Sequence, residues 1–181
     1  MDNETRLKAM LAESVVGIVL PDIAQLNLPN WWLAGGAVRN TVWCELFSHE
    51  CSLFIHDFDI AFFDPTGDRS QELAAKVTLN ANFPKYKFDV KNQASFGNWR
   101  KGNTTFSSAE DGIRNWLHTA TAVGVKLDEQ GEWKFFAPYG LDDLFAGIIR
   151  PTPVHVNNPK AKIKAASFLE HCSHLKLIEE N

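Results

Sequence analysis

Trp31-Trp32-Leu33-Ala34-Gly35-Gly36-Ala37-Val38-Arg39-Asn40 and, after a short gap, His56-Asp57-Phe58-Asp59-Ile60 hold most of what this sequence says about fold and chemistry. Trp31 to Ala34 is a short apolar run cut off by two glycines. Val38, Val42, Leu46 and Phe47 then recur at helical spacing. The pattern predicts a strand, a Gly-Gly turn and a helix. Such a turn lets backbone amides approach a phosphate, and the helix N-terminus adds a favourable partial charge. Arg39 could reach the same phosphate with a planar fork of donors. The stretch has neither Gly-x-Gly-x-x-Gly nor the Lys-Ser/Thr ending of a P-loop, so a plain tight turn stays open beside phosphate binding.

The second stretch lies in a predicted strand from Phe54 to Phe63. Strand residues two apart point to the same side. Asp57 and Asp59 would stand together, roughly 6.5–7 Å apart at the backbone, with Phe58 in the core between them. Two unpaired carboxylates that close repel, and a divalent cation resolves the conflict. Mg²⁺ takes hard oxygen ligands and brings phosphates and waters as the rest of its shell. A solvated edge-strand face is the alternative. Tyr86, Phe88 and Val90 alternate with Lys87 and Asp89, as in a half-buried strand. If that strand neighbours the first, Asp89 becomes a third carboxylate at the same place, suited to a two-metal phosphoryl transfer.

Working outward, Leu7, Met10, Leu11, Val15, Ile18 and Val19 predict one helix from about Thr5 to Leu20, with Pro21 and Pro29 in the connection after it. Asp64-Pro65-Thr66-Gly67 reads as a turn and Gln71 to Leu79 as a helix. Asn92 to Asn103 reads as loop with room for a short helix. Ser107-Ser108-Ala109-Glu110 has the form of a capping box. Ala122 to Leu127 and Trp133 to Phe136 form a predicted hairpin. Leu141 to Ile149 is a predicted helix capped by Asp142 and Asp143, and Lys160 to Leu169 a last one. Thr119 and Thr121 read as structural. Helices interleaved with short strands predict an α+β domain, one twisted mixed β-sheet flanked by helices. The expected division is a domain over 1–155 and a helical tail over 156–181.

The chain has 181 residues, 45% hydrophobic and 22% charged, with a formal net charge of −4. That acidic balance argues against a general nucleic-acid coat protein, without excluding nucleic acid as a partner. Lys85, Lys87, Lys91, Arg100 and Lys101 form one local basic run, either a solvated face or a patch. Cys44, Cys51 and Cys172 are an odd, irregular set, not a disulfide framework, and suit a reducing cytoplasm. Cys51 with His49 and His56, or Cys172 with His171 and His174, lack a Cys-x-x-Cys knuckle, so structural zinc is not expected. No targeting or membrane-spanning segment is visible, and a cytoplasmic protein is expected.

Leu33 to Asn40 followed by Asp57-x-Asp59 resembles the opening of the DNA polymerase beta-type nucleotidyltransferases. The Gly-Gly-x-Val-Arg form is similar to the tRNA CCA-adding and poly(A) polymerase branch. Many members of that superfamily add a third carboxylate on a later strand, where Asp89 falls. The chain also resembles a bacterial family of small nucleotidyltransferase-like proteins, over Trp31 to Trp43, Asn92-Gln93-Ala94, Thr119 to Val125, Tyr139 to Phe145 and Arg150-Pro151-x-Pro153. Where that family continues Asn-Gln-Ala with Arg-x-His, this chain has Ser95-Phe96-Gly97.

The resemblance implies transfer of a nucleoside monophosphate from a nucleoside triphosphate to an unknown hydroxyl or amine, with Mg²⁺ or Mn²⁺. Asp57, Asp59 and Asp89 are the implied catalytic and metal residues. Gly35, Gly36, Arg39, Asn92 and Gln93 are the implied nucleotide contacts. Two other readings stay open. One is a catalytically inactive nucleotide- or metal-binding module, motivated by Ser95-Phe96-Gly97. The other is a protein-interaction domain using Trp31, Trp32, Trp43 and Trp99.

Overall fold

The computed structural model describes residues 2–48, 51–98 and 105–178, with the backbone alone at 96–98. Trp99, Arg100, Lys101 and His49, each singled out above, lie outside the described residues, as does the end of the stretch to Asn103.

The chain runs α1 (Asn3–Ala12), α2 (Val15–Gln25), β1 (Trp32–Ala34), α3 (Gly36–Leu46), β2 (Asp57–Phe62), α4 (Arg69–Asn82) and β3 (Lys87–Asn92). A 3-10 turn over Gln93–Asn98 leads on to α5 (Ala109–Arg114), β4 (Gly124–Leu127), β5 (Trp133–Phe136), α6 (Asp142–Ala146), β6 (Ile148–Ile149), α7 (Pro159–His171) and β7 (Lys176–Leu177). Five strands form one sheet in the order β3-β2-β1-β4-β5. Within this sheet the β2–β3 pair is parallel and the other three pairs are antiparallel. This is the expected mixed sheet flanked by helices. No helix among the described residues is long and apolar enough to cross a membrane.

The sheet's two faces differ. Leu33, Phe58, Ile60, Phe88, Val90 and Val125 point into the larger core with α1, α2 and α3. Trp32, Ala34 and Ala61 face a smaller cluster built by Ala109 and Ile113 of α5. Alternation along β2 therefore puts Asp57 and Asp59 on the α5 face, while Phe58 and Ile60 anchor the strand on the other.

Several local expectations change. The predicted first helix is two, because Ser14 leaves helical geometry and accepts a hydrogen bond from the Val16 amide as the N-cap of α2. Pro21 sits inside α2 rather than after it. Strand β2 begins at Asp57, and Phe54 is exposed against His56. The capping box is shifted by one. Ser108 caps the Asp111 amide and Asp111 returns to Ser107, while Glu110 accepts from the Trp32 indole and Asn30.

Helix α6 stops at Ala146 because Gly147 turns left-handed at φ 68°. Asp142 and Asp143 do not cap it. Leu141 holds that position, Asp142 accepts from Asn3, and Asp143 accepts from Thr119 and Arg150. Trp31, Trp32 and Trp43 are all buried. They supply core volume rather than an exposed aromatic surface.

Helix α7 starts on Asn158 as N-cap with Pro159 in its first turn. Ala165, Phe168, Cys172 and Leu175 join the main core. Strand β7 pairs parallel to β6. The last segment is thus packed through side chains and backbone alike.

Candidate active site

Asp59 lies opposite Ala34 of β1 on one side and Asp89 of β3 on the other. Lateral neighbours in register share a face, so Asp59 and Asp89 stand side by side and Asp57 two residues along. Their surroundings differ sharply. Asp57 is mostly exposed, with Lys87 Nζ at 3.7 Å. Asp89 accepts from Lys76 Nζ at 2.7 Å and faces Lys91 Nζ at 3.4 Å. Asp59 has no ion pair or side-chain hydrogen bond among the described residues.

Burial, then the charges of Asp89 and Asp57, raise the Asp59 carboxyl to about 6, against the pull of Arg39 and Lys164. Among the described residues, no three His, Cys, Asp or Glu side chains are arranged to hold a metal ion. Asp57 and Asp59 are two hard carboxylates, and Asp59 is half-buried with no ion pair among the described residues. That donor set fits a divalent cation completing its shell with phosphate and water.

Gly35 brings the next part of the site onto Asp59. Its φ of 75° and ψ of −130° suit glycine. A Cβ there would meet the Trp116 ring at 2.6 Å and Asp59 Oδ2 at 3.2 Å. The turn thus runs beside the carboxylate, and no side-chain hydrogen bond caps α3. The first amides of α3 are left for an anion.

Arg39 is on the same helix but is 5% exposed. Its Nε and Nη2 donate to Asn40 Oδ1 at 3.1 and 2.7 Å, and Nη1 to Thr121 Oγ1 at 3.1 Å. Those bonds use three of five donors. The guanidinium lies 3.9 Å from the centre of the Phe168 ring and 5.1 Å from that of Trp43. It has no carboxylate ion pair among the described residues. Burial lowers it to about 10, with Asp59 pulling the other way, so it stays charged at neutral pH. It borders a pocket of about 260 Å³ with Trp116, His118, Thr121, Lys164 and Phe168.

Asn92 and Gln93 part company. Asn92 is 1% exposed, and its amide fastens the Asp64 backbone to the end of β3 through bonds of 3.0 and 2.7 Å. Its Oδ1 also accepts from the Ala94 amide at 3.1 Å, so the side chain positions the loop. Gln93 donates to Lys91 O at 3.3 Å and borders a cleft of about 160 Å³ with Asp59, Asp89, Lys91, Asn115 and Trp116.

Trp116, Asn115, His118 and Lys164 escaped the sequence reading. Trp116 and Asn115 border both the cleft and the cationic pocket. His118 is buried, with Nε2 3.0 Å from Ala161 O, and burial lowers it to about 4. None of the four sits in a motif. Only the fold brings Trp116 against Gly35 and gathers the other three around Arg39.

Among curated protein sequences, none matches this chain. Among solved structures, one described as an NMR structure revealing a CCA-adding enzyme head domain has a TM-score of 0.80 and 27% identity, over 99% of this chain and 97% of that one. The Thermotoga maritima CCA-adding enzyme complexed with tRNA gives 0.63 and 16%, over 96% of this chain and 42% of the enzyme. A CCA-adding enzyme in complex with CTP gives 0.62 and 15%, over 98% and 42%. The chain thus spans less than half of these two enzymes, and at such identities they show the fold alone. Residues 21–177 match a nucleotidyltransferase family. The match covers most of the sequence, and the chain belongs to that nucleotidyltransferase family.

Proposed function

We propose that the protein transfers a nucleoside monophosphate from a nucleoside triphosphate to a hydroxyl or amine acceptor, with Mg²⁺ or Mn²⁺ as cofactor. The observation that carries this is Asp59: a half-buried carboxylate beside the Gly35 turn, with no ion pair among the described residues. Asp57 and Asp59 would hold the cation, which supplies charge neutralisation at the phosphates. The amides after Gly35 and Gly36 receive phosphate oxygens at the start of α3. Arg39 supports that end with its fixed positive charge and its two remaining donors.

The acceptor oxygen or nitrogen forms its bond to the α-phosphorus as the bond to pyrophosphate breaks. Asp89 stands next to Asp59, either as a further cation ligand or to take the acceptor's proton. Gln93 borders the cleft in which a sugar or base would lie, and Asn92 holds that loop in place. Residues 1–155 form the catalytic domain in this reading, and the 156–181 tail closes the pocket through Lys164 and Phe168. Relatives in complex with CTP, ATP and tRNA support a nucleotide as donor. The acidic net charge makes a nucleic-acid acceptor the less favoured choice. Free thiols suit a cytoplasmic setting.

A second reading, a binding module without turnover, has its own support. Lys76 and Lys91 occupy Asp89, and Ser95-Phe96-Gly97 stands where the resembling family has Arg-x-His. Incubation with each labelled triphosphate, Mg²⁺ and a panel of acceptors separates the two. Pyrophosphate release that disappears in Asp59→Ala supports transfer. Binding without release supports the module. Release that survives Asp59→Ala removes Asp59 from the chemistry.

A further inference from the structure

Cys44 and Cys51 lie close in sequence, and the fold brings the distant Cys172 to them. Cys44 lies near the end of α3, Cys51 in the run before β2, and Cys172 at the C-cap of α7. The Cys51 thiol lies close enough to each of the others to influence it. Cys44 also donates to Leu53 O at 3.0 Å. Cys51 and Cys172 face each other in an isolated antiparallel bridge.

The Ser52 amide donates to His171 O at 2.7 Å, one residue to either side of the pair. That pattern makes Cys51 and Cys172 a non-hydrogen-bonded pair. Such pairs have Cα atoms about 4.5 Å apart and the closer side chains of the two pair types, inside the range a disulfide spans. The contact is held from outside the pair as well. Phe168 packs edge-on against Trp43, and His174 stacks on Phe47 of the α3 end at 4.2 Å. Because no three-ligand metal group is present among the described residues, the cluster is not arranged as a zinc site.

We propose that Cys51 is an oxidation site and that Cys172 is its resolving partner, so that a peroxide closes a Cys51–Cys172 disulfide and leaves Cys44 free. Cys51 is partly exposed, whereas Cys172 is buried. Burial pushes Cys172 up to about 12 and Cys44 up to about 11, so neither is the first to react. Cys51 sulfur attacks one peroxide oxygen, giving a sulfenic acid and water. Cys172 sulfur then displaces that oxygen as a second water. In total two thiols lose two electrons and two protons, and hydrogen peroxide is reduced to two waters. The disulfide ties the end of α7 to the run that leads into β2.

The test treats the full-length wild-type protein with hydrogen peroxide, alkylates the remaining thiols and maps the peptides. The expected product is the Cys51–Cys172 cross-linked peptide with Cys44 alkylated, reversed by dithiothreitol. Its melting temperature should rise by roughly 5–10 °C, since the bridge closes a long loop. Cys44→Ser should form the bridge as the wild type does, and Cys51→Ser should form none. Three alkylated thiols after oxidation, a Cys44–Cys51 bridge as the main product, or oxidation of Cys51 beyond the sulfenic acid without a bridge would each overturn the proposal. None of these outcomes bears on nucleotide transfer, which is read separately by pyrophosphate release.

Discussion

Asp59 and Asp89 are the same residue type, in register on adjacent strands, on the same face of one sheet. Yet Asp89 is engaged by two lysines, whereas Asp59 has no ion pair among the described residues and is raised to about 6. The β3 side chain belongs to a charge network that the protein completes by itself. The β2 side chain feels Arg39 and Lys164 only at a distance and has no ion-pair partner among the described residues. A carboxylate satisfied by its own chain supports structure; one left over at the meeting point of a glycine turn and a cationic pocket is available to a ligand.

The largest expected effect tests that contrast directly. Asp59→Asn should reduce pyrophosphate release on the order of 10³-fold, because it removes charge at the phosphates. Without metal, the same change should raise stability. The Asp59 carboxyl is higher in the folded chain than its ordinary 3.8, so its penalty is absent at low pH, grows as pH rises from about 4 to 6, and is full above. After allowing for partial exposure, Asn should gain about 1–2 kcal/mol at pH 8 in a urea titration. Asp89→Asn should do the reverse and lower stability, since Lys76 and Lys91 lose their partner. If both variants move stability in one direction, the contrast is broken.

His118 gives the next effect, through acid. Its imidazole is lowered from 6.5 to about 4 by burial. Stability from the neutral ring is complete above about pH 6.5 and is lost as pH falls toward 4, where the unfolded chain takes up a proton that the folded one refuses. Between pH 7 and pH 4.5 the His118 share of the loss should be about 2 kcal/mol, partly offset by relief of the Asp59 penalty, and urea titrations of His118→Gln should lack that share. Gly35→Ala should cost about 2 kcal/mol from backbone strain alone and displace Trp116, with loss of nucleotide binding. Lys91→Met is the smallest change. It should alter stability by less than about 1 kcal/mol, because Lys76 still holds Asp89.

What the sequence made legible was local and patterned. Alternation in β2 and β3 put Phe58, Phe88 and Val90 inward and the aspartates on the other face. The break at Gly35-Gly36 marked where β1 ends and α3 begins. Partners across the fold were not legible. Nothing near Asp89 in sequence says that Lys76, on α4, will reach it. Nothing in Asn115-Trp116 marks the ring that covers Gly35.

Asn92 stands beside Gln93 and reads equally polar, but only the fold shows its amide spent on the Asp64 loop. Ser14 ended a helix because its hydroxyl could cap the next one, a choice that periodicity does not register. Arg39 was legible as a basic residue after the glycines. Its burial against Phe168, from the far end of the chain, was not.

The most direct test of the metal–triphosphate assignment is calorimetric titration of a non-hydrolysable nucleoside triphosphate, with Mg²⁺, into the wild type and Asp59→Asn. Binding to the wild type should depend on Mg²⁺ and weaken by roughly 100-fold or more in the variant. Equal affinity in the two proteins, or binding indifferent to Mg²⁺, would contradict that assignment.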